Sequence, residues 1–132
     1  MITITRGTTN TIILTLTEKV SIKNPVFLFV FTNDQTRQAY SCIAADQSEF
    51  TYRYNEFLVT ETASPNLLSG QVSLPAPGDY HYAVYQQTST SNLDPTLAEG
   101  LLETGKLVVL ITSSGTNNTY DSEPKTNIVY GE

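Results

Sequence analysis

His81 is the one histidine of the sequence, so a general base or an imidazole that activates a nucleophile has to be built on it. It lies in the stretch Asp79-Tyr-His-Tyr-Ala-Val-Tyr85. Asp79, two residues earlier and on the same side of an extended strand, is the nearest local carboxylate to orient its ring. Eleven serines are available as nucleophiles, but none sits in the G-x-S-x-G turn that presents a serine above a sheet. His81 therefore reads as a sheet-face histidine without catalytic duty. With one histidine and one cysteine, paired-histidine and thiolate metal sites are excluded, and so is an internal disulfide. Cys42 has no adjacent base and small or apolar neighbours, which makes it a core filler. Asp46 with Glu49, or Asn33 with Asp34, offers loop oxygens to calcium, yet neither pair has the dense spacing of a calcium loop. Gly100 and Gly105 lack the following Lys-Ser/Thr pair of a phosphate loop. The sequence thus assigns no catalytic residue, cofactor or metal ligand, and no enzyme is expected.

Composition points the same way. Of the 132 residues, 39% are hydrophobic and 15% charged, against about 45–50% and about 25% in ordinary domains. The difference is made up by 20 Thr, 11 Ser and 9 Asn. Threonine favours strands, so the surplus describes a β protein with an uncharged polar surface. A net charge of −6 argues against nucleic acid as a partner, because affinity for phosphates comes mainly from Lys and Arg. No apolar run approaches the roughly 18 residues that span a bilayer, and no basic segment followed by an apolar one opens the chain. No membrane partner and no secretory route are expected.

The elements that carry these residues follow from period-two alternation, and no window supports a helix. Ile2 to Thr5 and Thr11 to Thr17 alternate around a Gly7–Asn10 turn and suggest a hairpin, with pairing of the N-terminal strand elsewhere as the alternative. Val26-Phe-Leu-Phe-Val-Phe31 is apolar on both faces, which predicts a strand either central to a sheet or with one face in the core and one under a partner. Weaker strands follow over 39–45, within 50–61 and over 71–74. Asp79 to Tyr85 and Leu101 to Ile111 are strong strands joined by a polar loop in which 93–98 can hold a helical turn. Gly105 inside the last strand suggests a bulge. Seven to eight strands at this spacing predict an all-β, antiparallel, immunoglobulin-like β-sandwich over residues 1–111. Leu74-Pro-Ala-Pro-Gly-Asp-Tyr-His-Tyr85 supports that architecture, with Tyr80 or Tyr82 expected to bond back to the preceding corner.

Residues 112–132 differ in character. Thr112 to Asn118 carries no apolar residue, and the polar segment beyond is interrupted by Tyr120 and by Ile128-Val129-Tyr130. It is expected to be an extended C-terminal arm, with Tyr120, Ile128, Val129 and Tyr130 as its partner-binding side chains. Tyr52, Tyr54 and Tyr85 are the candidate platforms of an alternative reading, a host-glycan-binding module.

Several segments resemble a family of small virion-associated proteins of tailed bacteriophages that infect Bacteroidota-type hosts. They include Thr9 to Lys19, Asn24 to Asp34, Tyr52 to Phe57, Leu68 to Val72, Glu103 to Val108 and Asn127 to Glu132. The resemblance covers nearly the whole chain and carries no catalytic motif. It implies a non-enzymatic structural protein, an auxiliary or decoration protein bound to the capsid shell. A head–tail connector or tail component is the alternative within that class. The implied partners are other virion proteins, above all the major capsid protein, and further copies of this chain. The implied location is the virion, assembled in the host cytoplasm.

Overall fold

The computed structural model of the chain describes residues 2–111. Tyr120, Ile128, Val129 and Tyr130, and the whole expected arm over 112–132, lie outside the described residues. Alternation is realised in eight strands. The first four are β1 (Ile2–Thr5), β2 (Thr9–Leu14), β3 (Val26–Asn33) and β4 (Ala39–Ala44). The rest are β5 (Asn55–Glu61), β6 (Gln71–Val72), β7 (Gly78–Gln87) and β8 (Gly100–Leu110). Thr17–Lys19 and Pro95–Leu97 are single turns of 3-10 helix, and among the described residues there is no other helix. The strands form two packed sheets, one ordered β1-β8-β7-β3-β4 and one ordered β2-β5-β6. The protein is an all-β sandwich.

Its centre is the phenylalanine ladder of β3. Phe27, Phe29 and Phe31 point between the sheets and are buried. Phe57 of β5 meets Phe29 and Phe27 edge-on, with ring centroids 4.8 and 5.3 Å apart. Each edge contact adds about 0.5–1.5 kcal/mol beyond area burial. The other face of β3 is buried too, by Ile43 and by partly buried Val26, Tyr85 and Leu93 around Leu28 and Val30. Leu93 belongs to the loop between β7 and β8. The two-sided apolar pattern of 26–31 thus has an internal cause, since the chain folds its own loop over the outer face.

The pairing differs from the expected antiparallel arrangement in two places. β1 forms no hairpin with β2; it runs parallel to β8, with Ile2 opposite Leu107 and Thr5 opposite Leu110. Thr5 N–H donates to Asn10 Oδ1 at 2.9 Å, and Asn10 Nδ2 donates to Val59 O at 3.3 Å. The Gly7 turn, with φ at 76°, therefore passes the chain from one sheet to the other. β6 also runs parallel to its neighbour β5. Within 50–61 only Asn55–Glu61 is strand, because Phe50 to Tyr54 is closed by turn bonds from Arg53 N and Tyr54 N to Phe50 O.

Tyr80, rather than Tyr82, makes the corner contact, its hydroxyl donating to Ala76 O at 2.7 Å. That contact is shared with immunoglobulin-like sandwiches, whereas the short second sheet with its parallel β6 departs from them. The bulge expected at Gly105 lies elsewhere: Val84 pairs with Glu103 and Tyr85 with Leu101, which leaves Leu102 as the extra residue. Gly105 has a different cause. It stands opposite Tyr82, and a β-carbon there would lie 2.7 Å from a ring carbon of that tyrosine. The ring is buried and its hydroxyl is bonded, so it has little room to yield. Gly105→Ala is expected to cost about 1–3 kcal/mol of stability, measured as a lower urea midpoint. A midpoint equal to that of the parent protein overturns this account of the glycine.

Candidate functional site

The titratable groups singled out by the sequence are distributed over the sandwich and tied into its structure. His81 is exposed on β7, between Thr32 of β3 and Lys106 of β8. Its Nδ1 pairs with Asp34 Oδ1 and not with Asp79 as the local spacing suggested. Asp34 is brought there by the turn after β3, where Asp34 N–H donates to Asp79 O at 3.0 Å. No hydroxyl is hydrogen-bonded to the His81 ring among the described residues, so no nucleophile is aligned with it.

Asp46 is engaged at both oxygens. Oδ1 accepts from Ser48 N and Glu56 N at 3.0 and 3.1 Å, and Oδ2 accepts from Asn55 Nδ2 at 2.6 Å. Buried Asn55 in turn accepts from Leu16 N and Thr17 N at 2.6 and 3.2 Å, which fastens the segment after β2 to β5. Asn33 Oδ1 accepts from Gln35 N and Thr36 N and so shapes its own turn. Among the described residues no three His, Cys, Asp or Glu side chains gather as a metal site.

Cys42 is fully buried in the main core, and burial pushes its thiol up to about 12. The thiolate is the reactive form. Cys42 is therefore expected to resist alkylation in the native protein and to react once the protein is unfolded, as mass spectrometry with and without denaturant reads. Native-state modification at the rate of an exposed thiol overturns this placement.

Glu103 holds one margin of the sandwich closed. It accepts from the Tyr82 hydroxyl at 2.7 Å and from Lys19 Nζ at 3.0 Å. Burial, then the hydrogen bond to Glu103 and its charge, raise Tyr82 to about 12. An unfolded tyrosine titrates near 10. The folded state therefore keeps this proton where the unfolded chain loses it. The associated stability is complete below about pH 10 and is lost as pH rises toward about 12. Tyr82→Phe is expected to flatten that part of the stability–pH curve, measured by denaturant titrations across the range. An unchanged slope excludes Tyr82 as its source.

The three tyrosines of the glycan reading do not form one platform. Tyr52 is 81% exposed in the turn before β5, and Tyr54 lies beside Phe50 with ring centroids 6.5 Å apart. Tyr85 instead packs with Leu28, Val30 and Ile43 on the outer face of the five-stranded sheet.

The features suited to binding are two adjoining grooves and a strand edge, which the sequence reading did not find. The larger groove, about 670 Å³, is lined by Arg6, Thr60 to Ala63 and Ile111. Buried Glu61 braces it, accepting from Gly7 N at 2.8 Å and from Leu74 N at 2.9 Å. Ser73 and Pro75 line this groove and also the next, a more apolar groove of about 330 Å³. Pro65, Leu67 and Val72 form one wall of the second groove, and Ala39, Tyr40 and Ser41 of β4 form the other.

The β4 wall is an open edge. Ile43 N–H donates to Leu67 O at 2.8 Å and Ile43 O accepts from Gly70 N at 2.7 Å, so Ile43 turns its backbone groups away from β3. By the alternation of an antiparallel pair, Ser41 and Ala39 turn theirs the same way. Their amides and carbonyls have no hydrogen-bond partner among the described residues. The hydrogen-bond phase that creates this edge leaves no trace in the residue types of 39–41. The only sequence signal is the pair of prolines, Pro65 and Pro75, flanking the segment opposite.

No family model and no curated protein matches the chain. Among solved structures it is similar to part of a crystal structure from Bacteroides vulgatus described as a candidate glycoside hydrolase. The identity is 8% and the TM-score 0.46, and the match covers 86% of this chain and 17% of that one. A likeness this distant assigns no activity.

Proposed function

We propose that the protein is a non-enzymatic structural subunit of a tailed-bacteriophage virion, an auxiliary protein bound to the capsid shell. Its working surface is the end of the sandwich where β8 finishes. The observation that carries this reading is the set of binding features gathered there. Leu110 and Ile111 are exposed at 46% and 66%, Ile111 lines the larger groove, and the open edge of β4 lies along the groove adjoining it. An edge of unpaired backbone beside an apolar groove suits recognition of extended chain rather than turnover of a small substrate.

The resemblance of several segments to phage virion proteins supplies the setting, with the major capsid protein as principal partner and self-association as a further contact. Residues 112–132 act as the tether to a neighbour, through Tyr120, Ile128, Val129 and Tyr130. Assembly takes place in the host cytoplasm.

The test is a phage whose copy of this protein ends at Asn118. The shortened chain is expected to keep the circular dichroism and thermal unfolding of the sandwich while missing from purified particles, as gels and cryo-microscopy read. Normal incorporation of the shortened chain overturns the tether. Full-length protein absent from the shell overturns the capsid assignment.

A further inference from the structure

We infer that the open edge of β4 is a built-in strand-acceptor site, and that its occupant in the isolated protein is residues Asn127 to Tyr130 of the same chain. The proposal concerns the free protein and stands whether or not the virion reading does. Three observations converge on it.

The first is the acceptor. Ala39 and Ser41 present two amides and two carbonyls, all without hydrogen-bond partners among the described residues, at the rim of an apolar groove. An added strand satisfies such groups in the same way that β3 satisfies the opposite side of β4. The neighbouring part of the same edge is already used like this, since Leu67 and Gly70 bond to both backbone groups of Ile43. The acceptor extends that pairing by one short strand.

The second is the fit of the segment. In an extended chain, Ile128 and Tyr130 fall on one side and Val129 on the other. One side thus carries two large apolar groups for a groove walled by Leu67, Val72 and Tyr40. Tyr40 is only half-buried there, with its ring centroid 6.5 Å from that of Tyr80, so an incoming side chain finds aromatic surface not yet covered. Neither Ile128 nor Tyr130 brings a charge that burial would penalise.

The third is the path. The described chain ends at Ile111, which itself lines the first groove, and that groove shares Ser73 and Pro75 with the second. Residues 112–126 reach up to about 50 Å when extended, far more than two adjoining grooves require. A tether of this length holds its end at an effective concentration on the order of millimolar, and a second copy has to compete with that. Connectivity therefore favours the chain's own segment.

The experiment is amide hydrogen exchange with mass spectrometry on three proteins: the full chain, the chain ending at Asn118, and the full chain carrying Ile128→Asp with Tyr130→Asp. Both substitutions fall beyond residues 2–111 and change none of the core residues. In the full chain the amides of Ala39 and Ser41 are expected to exchange at least about tenfold more slowly than in the other two proteins. Amides of β3 should be unchanged throughout. The protection should not depend on protein concentration, with a monomeric mass by light scattering. Equal exchange at 39–41 in all three proteins overturns the site. Protection that grows with concentration, together with a dimer, keeps the acceptor but gives it to a second copy and overturns the same-chain assignment.

Discussion

A three-stranded sheet cannot cover a five-stranded one, and much of this structure follows from that mismatch. The β2-β5-β6 sheet lies over the phenylalanine ladder of β3, where Phe57 meets Phe27 and Phe29. Beyond that contact the inner face of the larger sheet would be open to water. The chain covers it with segments that are not strands, and those segments bring polar backbone that has to be satisfied. Buried polar side chains do this at each margin. Asn55 holds the stretch after β2, Glu61 holds the Gly7 turn and Leu74, and Gln86 holds Ser21 through bonds of 2.9 and 2.7 Å. Gln87 fixes the loop that carries Leu93 over the outer face, donating to Ser89 O and Asn92 O. Among the described residues the β4 margin is only partly covered, and the smaller groove lies along it.

The same constraint explains why the residues with chemical potential do so little chemistry among themselves. Asp46, Glu61 and Glu103 act as acceptors for backbone amides and side chains that would otherwise be buried without partners. A carboxylate committed to two or three such bonds is a structural fastener. The surplus of Thr, Ser and Asn serves the same end, because short polar side chains satisfy nearby backbone groups without the cost of burying charge.

Local pattern made the strands legible. Alternation located nearly all of them, the double-sided apolar run marked a strand buried on both faces, and the Pro/Gly turn before Tyr80 marked the corner. Strand partners were less accessible, because alternation says which face a residue takes and nothing about the direction of the neighbouring strand. That is why β1 looked like half of a hairpin, and why His81 was matched with Asp79 when a turn from the other side of β3 delivers Asp34. Gly105 shows a related limit. A glycine in a strand can mark a bulge or a close approach, and only the position of the Tyr82 ring decides between them. The acceptor edge was invisible for a deeper reason: it depends on which of two alternating residues bonds to β3, and that phase is fixed by register rather than by composition.

The parallel pairing of β1 with β8 sets a temporal order on the protein. Ile2 emerges early from the ribosome, yet its partner Leu107 is made almost at the end of the described chain. The five-stranded sheet therefore cannot close before β8 is made, and contacts so distant in sequence form late and slowly. β3, β4 and β7 can pair earlier, with β1 waiting as an unpaired strand. Only when β8 has paired on both its edges do Leu110 and Ile111 take up their places beside the larger groove. The exit point of the chain is thus a product of completed folding, and a sandwich left unfinished has no fixed position from which to offer whatever follows it.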